Sequence, residues 1–346
     1  MKNKNKKISW MIITLLLVGT IIMGCATAPK IAAEAAPATQ KVWKVAYVSY
    51  QAVDTQEWLQ NLVKGVNEYI KTHPYIQFKV VEAIQTSDYE PKTRATAEAG
   101  YDIIITSYDA LAAATISVAK DYPNIMFGSL QGLIKDLSQY KNIQEFQLNR
   151  TQTGYLAGVV AGLMTKANKV GIVGGADVGG INEIIAGWQQ GMRRVNPNIE
   201  DIVVYSNNFG DPTIGKELGL SLVAKGADII AAAAGGTGVG TAQAAAASNA
   251  SYVAWDVHYQ DVLGKLELGS AVNFFDKMFI KFIEDAINGK FKPGKLVEYG
   301  IADGVCDFEI LDNSLANLPN VKDAVAAAKK DIASGKVVVS PTPLHK

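Results

Sequence analysis

Short apolar segments rich in β-branched residues alternate along the chain with longer segments in which apolar residues recur at helical spacing. The first kind predicts buried strands and the second predicts amphipathic helices. The predicted strands are Val45–Val48, Phe78–Val81, Ile103–Thr106, Ile125–Phe127, Val170–Val173, Ile202–Tyr205 and Ile229–Ala232. The predicted helices are Trp58–Ile70, Leu111–Lys120, Gly154–Leu163, Ile181–Val195 and Gly215–Ala224. This alternation indicates βαβ units, which build parallel sheets covered by helices on both faces.

The run of units is too long for one open sheet, so we predict two α/β lobes, each with a doubly wound parallel sheet. Polar or turn-rich segments predict three crossings between the lobes, near Phe146–Thr153, Val272–Asn273 and Gly300–Gly304. The predicted division assigns residues 43–148 and about 273–299 to lobe 1, and residues 149–272 and about 300–346 to lobe 2. Several crossings make a hinge, and a hinged cleft is typical of proteins that close around a small solute.

The N-terminal segment has the parts of a secretory lipoprotein signal, predicted here as residues 1–24. Four lysines among the first seven residues precede an uncharged apolar run, Ile8–Met23. A membrane-spanning helix needs about 20 apolar residues, so a cleaved signal is favoured over an uncleaved membrane helix. Gly24 and Cys25 end the run and predict lipidation of Cys25, followed by a flexible tether over residues 25–42. The expected location is the extracytoplasmic face of the cell membrane.

The charge balance and the cysteine content exclude some classes of function for this protein. The chain holds 33 Lys and Arg and 33 Asp and Glu, and loss of the four signal-peptide lysines leaves a net charge of −4. Nucleic-acid binding is therefore not expected, because it needs a concentrated basic surface. Cys306 is the one cysteine left after lipidation, and we predict it to be a small buried hydrophobic residue. We expect a monomer without metal or cofactor.

Five motifs cover nearly the whole body of the chain in a characteristic order and spacing. They are Asn149–Gly158, Val170–Gly175, Lys225–Ile230, Ala234–Gly240 and Gly300–Gly304. With these motifs the chain resembles the basic membrane protein (PnrA-like) family of solute-binding lipoproteins, whose best understood members serve purine nucleoside ABC importers. The resemblance implies a two-lobe, type I periplasmic-binding-protein-like fold. It also implies an ABC permease and ATPase as partners, and a purine nucleoside or free base as ligand.

The glycine run Gly235–Gly240 follows a predicted strand and opens an Ala-rich helix. Exposed N–H groups at such a helix N-terminus point into the cleft. The spacing does not fit a dinucleotide fingerprint, and the run lies late in the chain. A tight turn that needs glycine is the alternative. The resemblance favours ligand contact, with Gly236 and Gly238 as close backbone donors.

Asp256 and Trp58 match the family positions that bind the sugar and the base. A carboxylate such as Asp256 can accept two hydroxyl hydrogens, which suits a vicinal diol. An aromatic face at Trp58 would stack on a heterocycle for about 1–3 kcal/mol. Packing of Trp58 in the lobe core is the alternative. Asp54 is a candidate for the acidic group of the same loop.

A second loop and one substitution complete the predicted site. Ser107, Tyr108 and Asp109 follow the strand Ile103–Thr106, where the family places a ligand-binding acid. Asp109 could equally cap the next helix. Asn273 stands where nucleoside-binding members commonly carry a lysine, and this change keeps a free base open as ligand.

Catalysis has little support in the sequence. His258 beside Asp256 is the one possible acid–base pair near the cleft, and no nucleophile elbow or metal-ligand cluster is recognisable. We therefore predict a binding protein and not an enzyme. A binding protein for another flat or polar solute, such as riboflavin or a sugar, is the main alternative. A nucleoside-processing enzyme and a surface adhesin are the others.

Overall fold

Two six-stranded sheets, each flanked by helices, organise the protein. The computed structural model describes residues 41–55 and 57–346. The predicted signal peptide, Cys25 and the tether as far as residue 40 lie outside these residues. The described residues from Lys41 onward form a single compact unit that contains both sheets.

Strands and helices alternate along most of the described chain. The strands are β1 Trp43–Ser49, β2 Ile76–Glu82, β3 Ile103–Ser107, β4 Met126–Leu130, β5 Ile143–Leu148, β6 Lys169–Gly174, β7 Glu200–Tyr205, β8 Ile229–Ala233, β9 Ser251–Trp255, β10 Glu267–Asn273, β11 Leu296–Tyr299 and β12 Cys306–Glu309. The helices are α1 Glu57–Lys71, α2 Tyr89–Glu98, α3 Ala112–Asp121, α4 Arg150–Met164, α5 Gly179–Val195, α6 Pro212–Ala224, α7 Thr237–Ser248, α8 Gln260–Leu263, α9 Phe275–Ile287 and α10 Pro319–Ala333. Among the described helices, none has both the length and the apolar character needed to cross a bilayer.

The two sheets have the same strand order. Lobe 1 has the order β11-β5-β4-β3-β1-β2, and lobe 2 has β12-β10-β9-β8-β6-β7. The chain reverses direction across the sheet between β1 and β3, and again between β6 and β8, which makes each sheet doubly wound. The predicted α/β fold with two doubly wound lobes is thereby confirmed.

Strand β12 is the exception to parallel pairing, because it runs antiparallel to β10 with Asn273 opposite Cys306. A parallel neighbour needs a crossover of a dozen or more residues. Here the chain arrives from β11 in lobe 1 through the short segment Gly300–Val305 and enters the edge of the second sheet directly.

Three connections join the lobes, and backbone hydrogen bonds tie them to one another. They run from β5 to α4, from β10 to α9 and from β11 to β12. The N–H of Asn149 in the first donates to the carbonyl of Tyr299 at the third, at 2.8 Å. The N–H of Phe274 in the second donates to the carbonyl of Val305 in the third, at 2.9 Å. The crossings therefore form one hydrogen-bonded hinge.

The polar connection expected near Phe146–Thr153 is shorter than predicted. Phe146 belongs to β5 and Thr153 to α4, so the connection reduces to Asn149. Strand β5 looks polar in the sequence because it includes Glu145. This residue is buried and accepts hydrogen bonds from the backbone N–H groups of Leu133 and Ile134, at 2.9 and 3.1 Å. A buried polar group with partners of this kind is stable inside a sheet.

Each sheet carries an apolar core on both faces. In lobe 1, one face is built around Phe146, Phe279 and Phe282, and the other holds Phe127 with smaller aliphatic residues. In lobe 2, the core on one face is built around Trp188, and the core on the other face is an Ala-rich cluster that includes Tyr252. Cores on both faces are what parallel sheets require.

Close packing of α4 on α5 explains the glycines of the Asn149–Gly158 motif. A Cβ atom on Gly154 would overlap the carbonyl oxygen of Ile184, and one on Gly158 would overlap that of Trp188. Only glycine permits this backbone approach. The contact fixes Arg150, the first residue of α4, at the cleft beside the start of α5.

Candidate functional site

Two adjoining cavities open where the lobes meet, at the carboxyl ends of the strands. The smaller, about 390 Å³, lies between the start of α1 in lobe 1 and the ends of β9 and β10 in lobe 2. The larger, about 630 Å³, extends along lobe 2 past the ends of β8 and β9. Both are lined by Asp256, Val257, His258, Asn273 and Phe275, so they form one cleft. Open α/β sheets bind ligands at this edge, in cavities of this size.

Asp256 and Asn273 meet at the junction of the two cavities. The backbone N–H and the side-chain Nδ2 of Asn273 both donate to Oδ1 of Asp256, each at 2.9 Å. Oδ1 of Asn273 accepts in turn from Sγ of Cys306 at 3.7 Å. Within the described residues, Oδ2 of Asp256 has no hydrogen-bond partner. The structure thus brings two predicted residues together and leaves one carboxylate oxygen open to the cleft.

Asp256 is exposed to solvent in the open cleft, yet its carboxyl lies among the residues that line both cavities. Burial of the carboxyl among these residues raises its pKa from the ordinary value to about 6, because the charged form loses hydration. The two hydrogen bonds from Asn273 and the positive charge of Arg150 act in the opposite direction. A carboxyl with this pKa is largely ionised at neutral pH and changes its charge under mildly acidic conditions.

Trp58 lines the smaller cavity from lobe 1 and is half-buried. Its ring meets those of Tyr108 at 5.8 Å and Phe275 at 5.5 Å between centroids. Tyr108 supports Trp58 from a backbone with φ 57°, a conformation that costs energy for a bulky residue. Burial raises the pKa of Tyr108 to about 12, so its hydroxyl stays neutral. Trp58 therefore packs on the lobe core and also presents a surface to the cleft.

Other predicted lobe 1 residues lie outside the cavity lining. Ser107 is fully buried, and its Oγ accepts from the N–H of Tyr50 at 3.2 Å and donates to the carbonyl of Val48 at 3.4 Å. That side chain joins β3 to the end of β1. Asp54 and Asp109 are both exposed in short 3₁₀ turns.

The two predicted glycines have different surroundings. Gly236 is the N-cap of α7 and lines the larger cavity. Gly238 lies within the first turn, where its N–H donates to the carbonyl of Gly235 at 2.9 Å. A Cβ atom on Gly238 would touch the hydroxyls of Tyr259 and Tyr252, at 3.4 and 3.6 Å. These are ordinary contact distances, and the N–H of Gly238 is already used within the turn.

Arg150 is a cleft residue that the sequence analysis did not select, although it lies within a quoted motif. It lines the larger cavity, and its positive charge acts on both Asp256 and Glu183. Its position directly after the first crossing was the signal that could have identified it.

Phe209 is a second missed residue. Its side chain is 50% exposed and lines the larger cavity from lobe 2. The ring occupies the space where a Cβ atom of Gly175 would stand, and the carbonyl of Phe209 approaches Gly235. Gly175 thus makes room for the ring and Gly235 for the backbone of Phe209, and the glycines of these two quoted motifs could have revealed the residue.

His258 is held by two carboxylates and not by Asp256. Nδ1 lies 2.6 Å from Oε1 of buried Glu267, and Nε2 lies 3.1 Å from Oε2 of Glu309. Burial lowers the pKa of His258, but the two carboxylates outweigh it and raise the pKa above its ordinary value. The acid–base pair with Asp256 considered in the sequence analysis is therefore not formed. No group of three or more His, Cys, Asp or Glu in the described part of the chain could hold a metal ion.

Comparisons with known proteins agree with this architecture. Residues 42–340 match the family model Bmp, described as ABC transporter substrate-binding protein PnrA-like. The ABC transporter nucleoside-binding protein BmpA of Lactococcus lactis subsp. cremoris is 31% identical over 270 residues, which cover 73% of this chain and 75% of that protein.

Two solved structures are similar in fold. One is an ABC transporter system solute-binding protein from Conexibacter woesei, with a TM-score of 0.69 and 20% identity over 86% of this chain and 99% of that one. The other is a transcriptional activator of the comK gene from Bacillus halodurans, with a TM-score of 0.70 and 20% identity over 85% of this chain and 99% of that one. At this identity, both show the fold alone.

Proposed function

Because the chain belongs to the Bmp family of PnrA-like ABC transporter substrate-binding proteins, we propose that its ligand is a purine nucleoside or a free purine base. Proteins of this family are extracytoplasmic substrate-binding components of ABC transporters, and we propose that this chain is likewise a binding protein and not an enzyme. The proposed role is to trap the purine between the lobes and deliver it to an ABC permease and ATPase. Closure would bury the ligand, and the permease would respond to the closed form.

The observation that carries the proposal is the open Oδ2 of Asp256 beside the Trp58 ring in one cleft. A purine has a flat apolar face and several N–H or hydroxyl donors on its edges. Trp58 offers a stacking surface to the face, and the ionised carboxylate accepts from a donor. Phe209 offers a second ring from lobe 2, so that closure would place aromatic surface on both sides of a flat ligand.

The polar groups of lobe 2 determine which purines, as bases or as nucleosides, the cleft favours. Asn273 replaces the lysine expected from the resemblance, and its amide is used on Asp256. Arg150 is then the cation that lines the larger cavity. A carbonyl oxygen on a purine base would suit its guanidinium donors, which favours oxopurines such as hypoxanthine and guanine and their nucleosides.

A thermal-shift screen tests the ligand class. The purified protein, freed of copurified ligand by partial unfolding and refolding, is mixed with purine bases, purine and pyrimidine nucleosides, riboflavin and simple sugars. A ligand at 100 times its dissociation constant adds about 2.7 kcal/mol of stability, which such a screen detects. We expect shifts with purines. A shift with riboflavin or a sugar, and none with any purine, would refute the proposal.

The same preparation tests the absence of catalysis. Prolonged incubation with inosine should yield no hypoxanthine or ribose, because His258 is occupied by Glu267 and Glu309. Product that accumulates in proportion to protein concentration would instead establish a hydrolase.

We also propose that Cys25 is lipidated and anchors the protein to the outer face of the cell membrane as a monomer. Incorporation of a labelled fatty acid into the native chain, and its loss in a Cys25→Ser variant, is the expected result. Equal labelling of the two chains would contradict the anchor.

A further inference from the structure

We propose that Asn273 is a positioning residue, which occupies one oxygen of Asp256 and directs the other towards the ligand without contacting the ligand itself. Cys306 would fix the Asn273 amide in the orientation that this role requires. The inference rests on the proposed function, because it concerns the same cleft, and it assigns to Asn273 a different role from that of a short substitute for lysine.

The hydrogen bonds of Asn273 carry the inference. Its backbone N–H and its Nδ2 both reach Oδ1 of Asp256 at 2.9 Å. A carboxylate oxygen has two lone pairs, so these two donors occupy Oδ1. The ligand then meets Oδ2 alone, and the two-oxygen grip on a vicinal diol expected from the sequence is not available.

Cys306 determines which end of the amide faces Asp256. Its Sγ donates to Oδ1 of Asn273 at 3.7 Å, so the NH₂ end of the amide is left for the carboxylate. Cys306 is 3% exposed, and burial raises the pKa of its thiol to about 12. The sulfur therefore keeps its proton and remains a donor at every pH at which the protein would work.

The backbone supports the same arrangement. Asp256 has φ 59°, a left-handed conformation that a non-glycine residue adopts only when its surroundings hold it there. Its N–H donates to the carbonyl of Ala271 in β10 at 2.9 Å. Asn273 lies opposite Cys306 in the ladder of β10 and β12. The ends of three strands thus fix the carboxylate before the ligand arrives, which lowers the entropy cost of binding.

Other charged and titratable groups around Asp256 affect its pKa independently of the Asn273 amide. Arg150 on α4 lowers the pKa of the carboxyl, as Asn273 does. His258, two residues along, is held by Glu267 and Glu309. None of these groups would change when the Asn273 amide is removed, because the amide's hydrogen-bond partners are Asp256 and Cys306.

The test combines a readout that needs no ligand with one that does. The pKa of Asp256 in the unliganded protein is measured by carbon NMR titration, with Asp256→Asn to assign the signal, and inosine binding is measured by calorimetry. Asn273→Ala should raise the pKa of Asp256, because a donor to the charged form is lost. Inosine binding should weaken by roughly fivefold to tenfold, because the Asp256 carboxylate is no longer held in the orientation that its hydrogen bond to the ligand requires.

Cys306 provides a matched pair of variants that leaves Asn273 in place. Cys306→Ala should move the pKa of Asp256 and the inosine affinity in the same direction by smaller amounts. Cys306→Ser, which restores a donor, should return both towards the wild-type values. Equal behaviour of the two variants would show that the thiol acts by packing and would overturn its positioning role.

The outcomes separate this inference from the proposed function. If wild-type protein binds neither inosine nor any other purine of the thermal-shift screen, the proposed ligand class is wrong, and the NMR titration still decides whether Asn273 positions Asp256. If inosine binds and Asn273→Ala leaves the pKa of Asp256 unchanged, the positioning role is refuted. Weaker inosine binding with that unchanged pKa would identify Asn273 as a direct ligand contact.

Discussion

The two lobes contribute different chemistry to the cleft. Lobe 1 presents rings that contact one another, with Trp58 between Tyr108 and Phe275. Lobe 2 presents groups fixed by hydrogen bonds or left charged, above all Asp256 and Arg150. Packing of rings is weakly directional, whereas a hydrogen bond requires a donor and an acceptor in line. If the proposed function holds, this difference predicts that lobe 1 provides affinity for a flat ligand and that lobe 2 selects which flat ligand is held.

The largest expected effect is on the polar side of the cleft. Asp256→Ala removes a hydrogen bond to a charged group, which is worth about 1.5–3 kcal/mol, so inosine binding should weaken by about 10- to 100-fold. Calorimetry measures this loss. The melting temperature without ligand should fall only slightly, because Oδ2 serves no described partner and the two Asn273 donors that lose Oδ1 lie at the exposed cleft, where water can replace it.

Asp54→Ala is the matched control, because Asp54 is an exposed acid outside the cavity lining. It should leave inosine affinity unchanged. A large fall in the melting temperature of the Asp256→Ala protein would show that Asp256 is structural, and lobe 2 would lose its selective role in the comparison.

On the aromatic side, Trp58→Ala removes a stacking surface worth about 1–3 kcal/mol per base. Affinity for purines should fall by about 5- to 100-fold, and affinity should recover in Trp58→Phe, which keeps an aromatic face. The ranking among different purines should be preserved, since lobe 1 does not read the edge of the ring. A reversed ranking, measured by competition calorimetry, would contradict the division of roles.

Acidic pH should affect binding and stability with opposite signs. The folded pKa of Asp256, about 6, is higher than that of an unfolded aspartate, so its contribution to folding stability is fully present below the unfolded value. That contribution is lost as the pH rises through about 6. Binding requires the ionised form, so inosine affinity should fall by about tenfold between pH 7 and pH 5.

The Asp256→Asn variant checks the origin of this pH dependence. Its inosine affinity, measured by calorimetry at the same pH values, should be weak and flat. A wild-type profile that survives in this variant would assign the titration to another group, such as His258.

The smallest expected effect concerns the aromatic residue that lobe 2 contributes. Phe209→Ala should weaken purine binding by about fivefold, because an aromatic contact adds about 0.5–1.5 kcal/mol. Val178→Ala, which trims another exposed apolar side chain of lobe 2 outside the cavity lining, is the control and should have no effect. Unchanged calorimetric affinity in Phe209→Ala would show that lobe 2 contributes only polar contacts to the ligand.

Sequence patterns predicted most of the fold because the central strands are continuously apolar. Strands β1, β3, β6 and β8 are buried on both faces and follow that pattern. Strands β5 and β10 were missed because they include buried charged residues, Glu145 and Glu267, whose partners lie in the segment just before each strand. An apolar or alternating pattern does not show that a charged residue has such partners and is therefore buried.

The site was predictable where the resemblance supplied positions and less so elsewhere. Asp256, Asn273 and Trp58 were named from the sequence and lie at the cleft. Arg150 and Phe209 were not, because their exposure to the cleft depends on the first crossing and on space left by glycines. The exposure of these two side chains to the cleft is determined by residues that are close in space and not by residues that are adjacent in the chain.

The backbones of α4 and α5 are in direct contact, so we expect these two helices to move as one rigid unit. Because α4 starts at the first crossing, any rotation there moves the whole α4–α5 slab and not only the residues that touch the ligand. The direct contact of backbones leaves no soft side-chain layer to absorb the motion. We therefore expect that filling the cleft is transmitted to the outer surface of lobe 2, far from the solute, where another molecule can sense it.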